Sequence, residues 1–244
     1  MEVVLFVITI TVACLLQAVI GFGSALLATP LALMYLDKET VVSSMLVVGP
    51  VLNGYLAVRI REQIDWKLVG LLLLASVVGA PLGLLVLKTI SISLMKVVVG
   101  SLVVIFTAAL YFGRFTLPNR RPLTVIAGVL SGLLNTSTSM GGPPVLLLLA
   151  GRDLPKNEFR RTVACLFFPL GLASVFLFVA SRVMTLQRAS FGLVSIPFVF
   201  LAGFAGDKIA ARLRQRPFRL LALGTLFLAG LSSIVAGLGS ASGG

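Results

Sequence analysis

Three stretches of this chain, Leu68 to Leu87, Thr162 to Ser181 and Leu220 to Gly244, contain no charged side chain. Each is about the 17 to 25 residues that a helix needs to cross the hydrocarbon core of a bilayer. A helix on a water-soluble domain carries a polar face, because part of it must meet solvent; these runs carry none. Composition agrees, with 58% hydrophobic and 11% charged residues. The net charge of +12 and pI near 10.9 would suit a nucleic-acid binder. However, Lys and Arg sit in short segments between the apolar runs and form no basic face with interleaved aromatics. They read as loop charges that face phospholipid headgroups and set orientation, so the lipid bilayer is an expected partner and nucleic acid is not.

The whole chain, 1–244, divides into about eight hydrophobic segments: Val3 to Leu36, Thr40 to Val58, Leu68 to Leu87, Val97 to Phe112, Leu123 to Ala150, Thr162 to Ser181, Ala189 to Gly206 and Leu220 to Leu238. The expected fold is an all-α polytopic membrane helix bundle in a single domain. The first and fifth segments are too long for one crossing. At 1.5 Å per residue the first would reach about 50 Å, against a core of about 30 Å. Both must tilt, break or fold back. The start MEVVLF has an acid and no basic stretch, so a cleaved secretory signal is not expected and the first apolar segment stays.

The interruptions are visible as residues. In the fifth segment GLLNTSTSMGGPP sets Asn135, Thr136, Ser137, Thr138 and Ser139 ahead of Gly141, Gly142 and the pair Pro143 and Pro144. In the first, Gln17 precedes Gly21, Phe22, Gly23 and Ser24, with Pro30 beyond. Polar groups and paired prolines are costly at membrane depth unless a broken helix uses them to hold a solute. Shifting the first half by 118 residues lays Gln17 on Asn135, Gly23 on Gly141 and Lys38 on Lys156. Two related repeats follow, about 1–113 and 122–244, each with a broken or re-entrant first helix. Small residues in the third segment (Gly79, Ala80, Gly83) and the seventh (Gly203, Ala205, Gly206) would let helices approach closely in lipid, but pairing these two needs a different offset.

A helix broken near the midplane exposes unpaired N–H groups at the start of its second half, where the helix dipole adds partial positive charge. An anion is the natural ligand. Glycine lets the backbone approach it, Pro143 or Pro144 suits a first helical turn, and Ser and Thr hydroxyls complete an oxyanion's shell. The expected substrate-binding residues are Gln17, Gly21, Gly23, Ser24, Asn135, Thr136, Ser137, Ser139, Gly141 and Gly142. Helix packing accounts equally well for the glycines alone, and interhelical hydrogen bonding for the amides.

Asn53, Ser43 and Ser44 read as polar contacts between helices. Arg59, Arg61, Arg160 and Arg161 read as interfacial anchors, the alternative being an entrance that concentrates anions. Asp207 reads as an interfacial ion-pair partner beside Lys208 and Arg212. Cys14 and Cys165 fall within apolar runs with no metal or redox spacing and read as small buried hydrophobes. The chain has no histidine, and its eight acids lie in loops or at segment ends. Histidine triads and the usual zinc sites are therefore excluded, no metal or cofactor is expected, and no catalytic residue stands out.

With QAVIGFGSALLATPLAL near the start, GVLSGLLNTSTSMGGPPVLLLLA after the midpoint, then FRRTV, and a Gly-rich seventh segment running into AARLRQRPFRLL, the chain resembles the sulfite exporter TauE/SafE family of bacterial membrane permeases. The likeness covers nearly the whole chain. It implies a multi-pass protein of the bacterial cell (inner) membrane that moves sulfite, sulfonates, sulfoacetate or related small anions. The sequence departs from the commonest glycine-rich form at Thr136, Ser137, Thr138 and Ser139, where smaller residues are frequent.

The expected function is thus a secondary transporter, permease or exporter, of a small anion; a homodimer is a candidate assembly. The alternative is a non-transporting membrane scaffold or assembly partner, which has no need of paired breaks. If all eight segments cross, the positive-inside rule puts both termini outside the cytoplasm. If the first and fifth are re-entrant hairpins, the halves become inverted.

Overall fold

The structure, a computed structural model, describes residues 1–112, 120–150, 152, 154–212 and 227–239. These residues form helices and connecting turns with no strand. In chain order the helices are α1 (Glu2–Ile20), α2 (Ser24–Ala32), α3 (Lys38–Arg59), α4 (Trp66–Thr89), α5 (Ile92–Phe112), α6 (Arg121–Thr138), α7 (Gly142–Ala150), α8 (Lys156–Ala180), α9 (Leu186–Arg212) and α10 (Phe227–Gly239).

The eight apolar segments do not correspond one to one with spanning helices. Among the described residues six helices are long and apolar enough to cross a membrane: α1, α3, α4, α5, α8 and α9. The first segment holds α1 and α2, and the fifth holds α6 and α7. The polar NTST end of α6 lowers its hydropathy, and α7 is a short helix. Of the last segment, 220–226 lies outside the described residues and the rest is α10.

Two helix starts follow local capping chemistry. The Asp37 side chain accepts from the Thr40 amide at 2.9 Å, and Asp65 from Lys67 and Leu68 at 3.0 Å each, so α3 and α4 begin on capped amides. At Asp37 burial raises the carboxyl, but hydrogen bonds with Thr40 outweigh it and hold it below its ordinary value. Helix ends are closed by cations, as the dipole favours. Lys38 donates to the Ile90 carbonyl just beyond α4, and Lys156 to the Ala210 carbonyl in α9 at 3.0 Å.

The contacts between helices give their directions. Phe6 meets Phe191 at 5.7 Å and Ala18 meets Gly206, so α1 runs parallel to α9. Gly128 packs on Leu72 and Ala75 while Gly83 packs on Leu133, so α6 runs parallel to α4. Gly54 lies under Phe168 and Gly171 under Pro50, so α3 and α8 cross in opposite senses. Gly237 sits by Ser93 and Gly230 by Val103, which makes α10 antiparallel to α5. Consequently α1 and α3 run the same way, and residues 21–37 must carry the chain back. Glu2 accordingly lines one surface cleft with Leu36 and Asp37. Residues 139–155 do the same between α6 and α8.

Burial is partitioned for lipid. Phe176 is 76% exposed, whereas Ser174, two residues earlier on α8, is fully buried. Many apolar side chains face outward to hydrocarbon, while hydroxyls such as those of Ser76, Thr136 and Ser174 face inward and find carbonyl partners.

The tightest seam is α4 against α6, where Gly79, Gly83, Gly128 and Gly132 bring the two backbones together. A Cβ on Gly132 would collide with the Ser76 carbonyl, which is backbone and has no room to swing aside. Gly132→Ala is therefore expected to lose about 1 to 3 kcal/mol of stability. Thermal unfolding in detergent measures this, with Gly70→Ala, which meets no atom within 4 Å, as the control.

Candidate functional site

The first break is made by two left-handed glycines. Helix α1 closes on Gly21 (φ 102°), whose amide bonds the Gln17 carbonyl at 2.6 Å, and α2 opens after Gly23 (φ 111°). At such φ values any side chain is strained, so glycine is required for conformation. The second break turns on Ser139 (φ 59°), whose amide bonds the Asn135 carbonyl at 3.0 Å. Serine in this conformation is held by one local and one long-range bond: its hydroxyl lies 2.6 Å from the Thr138 carbonyl and 2.8 Å from Thr29 Oγ1 on α2. The Ser131 hydroxyl donates to the Gly141 carbonyl at 2.7 Å, pinning the start of α7 back along α6.

Both breaks open on one cavity of about 70 Å³. Gln17, Phe22, Gly23, Ser24, Ala25 and Leu26 line it from the first; Asn135, Ser139, Met140, Gly141, Gly142 and Leu146 line it from the second. The walls are α3, through Gly49, Pro50 and Asn53, and α8, through Val163, Phe167 and Gly171. Among the described residues, none with a charged side chain lines the cavity.

Of the residues expected from the sequence, Gln17, Gly23, Ser24, Asn135, Ser139, Gly141 and Gly142 come together here. Gly21, Thr136 and Ser137 do not. Gly21 packs against the Arg160 side chain and backbone. Thr136 donates to the Ala80 carbonyl of α4 at 2.6 Å, and Ser137 to the Leu133 carbonyl at 2.8 Å. The cause is helical phase. Asn135 and Ser139 are four residues apart and share a face, whereas Thr136 is rotated about 100° from Asn135, onto the α4 seam.

Asn53, read from the sequence as a contact between helices, is both that and a cavity residue. Its Oδ1 accepts from Gln17 Nε2 at 3.0 Å, and Gln17 Oε1 accepts from the Ser24 amide at 3.3 Å and from the Ser24 hydroxyl. An amide in α3 beside Gly54 was the available signal; its partner lies 36 residues away, beyond the reach of local pattern.

Arg160 is a correction. It is not an interfacial anchor but is buried to 3% exposure, donating to the Ala18 carbonyl at 2.5 Å and to Asp207 at 3.2 Å. Asp207 also meets Arg59 at 3.4 Å, while its neighbour Lys208 lies over the Phe204 ring. A buried guanidinium thus neutralises the carbonyl end of α1 just below the break. Asp207→Ala would leave Arg160 uncompensated and is expected to cost up to about 3 kcal/mol. Arg59→Ala, at an exposed partner, should cost about 1 kcal/mol or less. Unfolding midpoints of the two variants in detergent check the contrast.

A sequence model of the family described as sulfite exporter TauE/SafE matches residues 5–233. Neither a curated protein nor a solved structure matches the chain. With a match over nearly its whole length and six helices fit to span a bilayer, this multi-pass membrane protein belongs to the sulfite exporter TauE/SafE family of membrane transporters.

Proposed function

We propose that the chain is a secondary transporter, in a bacterial inner membrane, for a small anion such as sulfite, a sulfonate or sulfoacetate, and that the cavity between the breaks is its substrate site. The observation that carries this reading is the convergence of two interruptions, far apart in sequence, on one cavity whose largely apolar walls carry several polar groups and, among the described residues, no charge. The amides of Ala25 and Leu26, in the first turn of α2, have no carbonyl of their own helix to bond, and the dipole adds positive potential there. Helix α7 contributes less, because Pro143 and Pro144 remove two donors from its first turn. The cavity is small, so it suits a compact oxyanion better than an extended one such as sulfoacetate.

Two inverted repeats, about 1–113 and 122–244, would supply alternating access around this site. In support, α1, α3, α4 and α5 run opposite to α6, α8, α9 and α10 taken in order. Lys38 and Lys156 close α4 and α9 in equivalent ways. Arg59, Arg61, Lys67, Arg120, Arg121 and Lys156 gather at one end of the bundle, which the positive-inside rule assigns to the cytoplasm. A scaffold would need no cavity shared by two broken helices.

Purified protein in liposomes should take up or release labelled sulfite, and sulfoacetate and taurine test the size limit. Gly23→Leu, which strains the turn and fills the cavity, should abolish flux in protein that still reaches the membrane. Absence of flux for every anion, in both directions, would leave the scaffold reading.

A further inference from the structure

The hydrogen bonds around the cavity fix which atom of each amide faces it. The Gly49 carbonyl only accepts, so the Asn53 atom 2.8 Å away is Nδ2, and Oδ1 turns to Gln17. Gln17 therefore gives Nε2 to Asn53 and keeps Oε1 for Ser24. On this side the groups left over are donors: the second hydrogens of Gln17 Nε2 and Asn53 Nδ2, and the amides of Ala25 and Leu26.

The opposite wall is reversed. The Ser174 hydroxyl donates its single hydrogen to the Leu170 carbonyl at 2.8 Å. Toward Asn135, 2.9 Å away, it can only accept, which fixes Nδ2 on Ser174. Asn135 Oδ1 then receives no hydrogen bond from the described residues, although Asn135 is buried to 7% exposure and lines the cavity. A bare acceptor in an anion site repels an unprotonated oxyanion and welcomes an O–H.

We propose that the site selects the protonated, singly charged form of its oxyanion, with charged oxygens toward α2 and the O–H donated to Asn135 Oδ1. This rests on the anion-site reading above and adds the species bound. Charge magnitude points the same way. Desolvation scales with the square of charge, so a dianion loses about four times as much hydration as a monoanion while its attraction to fixed dipoles only doubles. No titratable side chain from α1, α2, α3, α6, α7 or α8 lines the cavity. The neighbouring cation, Arg160, is engaged with Ala18 and Asp207, and Arg59 shares that carboxylate. The proton therefore crosses on the substrate and dissociates in the water beyond, with no protein carboxylate as carrier.

Sulfite and chlorate test this, because they share a pyramidal shape and chlorate stays a monoanion without a proton. Calorimetric titration of the whole protein in detergent should show sulfite binding tighten as pH falls through its second ionisation while chlorate binding stays flat. Asn135→Ala should weaken sulfite at the acid end by about two- to twelvefold, the value of one hydrogen bond, and leave chlorate no weaker, because the lost acceptor only repels it. Ser174→Ala frees the Asn135 amide to turn its Nδ2 inward; it should shrink the pH effect while keeping chlorate binding, which also reports that the variant is folded. Sulfite binding that tightens with rising pH, or equal losses for both anions in Asn135→Ala, would overturn the proposal and leave the anion site standing. Failure of both anions to bind wild-type protein would overturn the anion site as well.

Discussion

A backbone polar group in hydrocarbon must find its partner inside the protein, and each device in this fold answers that demand. Breaking α1 at Gly21 frees carbonyls at its end and amides at the start of α2. The Ala18 carbonyl takes the Arg160 guanidinium, and the Ser24 amide takes the Gln17 side chain. At the second break the Gly141 carbonyl takes the Ser131 hydroxyl. At the cavity the first-turn amides of Ala25 and Leu26 are left over, and these are the groups that the proposed substrate site would use.

The close seams make the matching possible. Helices α4 and α6 meet through glycines, and that approach lets Thr136 reach across to the Ala80 carbonyl. The α3–α8 crossing uses bulk against absence of bulk, with Pro50 over Gly171 and Phe168 over Gly54. Shape complementarity of this kind holds helices where lipid offers no hydrophobic driving force between them.

Much of this is legible in the residues. Charge-free runs announce α4 and α8, and the excess length of the first and fifth segments, with Gly21, Gly23 and the NTSTS run, announces the turns within them; the third run holds α10, which is shorter than a crossing. The roles inside those motifs are less legible, because they depend on helical phase and on distant partners. Thr136 and Ser137 look equivalent to Asn135 and Ser139 in a string of letters, yet rotation about the α6 axis puts them on other faces. Arg160 looks like one of a pair of loop arginines beside Arg161; its burial follows from Gly21 and Asp207, both remote in sequence. Asn53 acquires meaning only when Gln17 is beside it.

The Arg160 bond to Ala18 also bears on the order in which the molecule can be assembled. Donor and acceptor are 142 residues apart, with α1 through α7 made before the arginine exists. Until α8 enters the membrane, the carbonyl end of α1 lacks its cation and Gly21 lacks the surface on which it rests. The first hairpin to be synthesised is thus among the last elements to settle. During synthesis the nascent chain must shelter it at the lipid–water boundary or within the insertion machinery, and a fragment ending before α8 would carry an unfinished helix end into the bilayer.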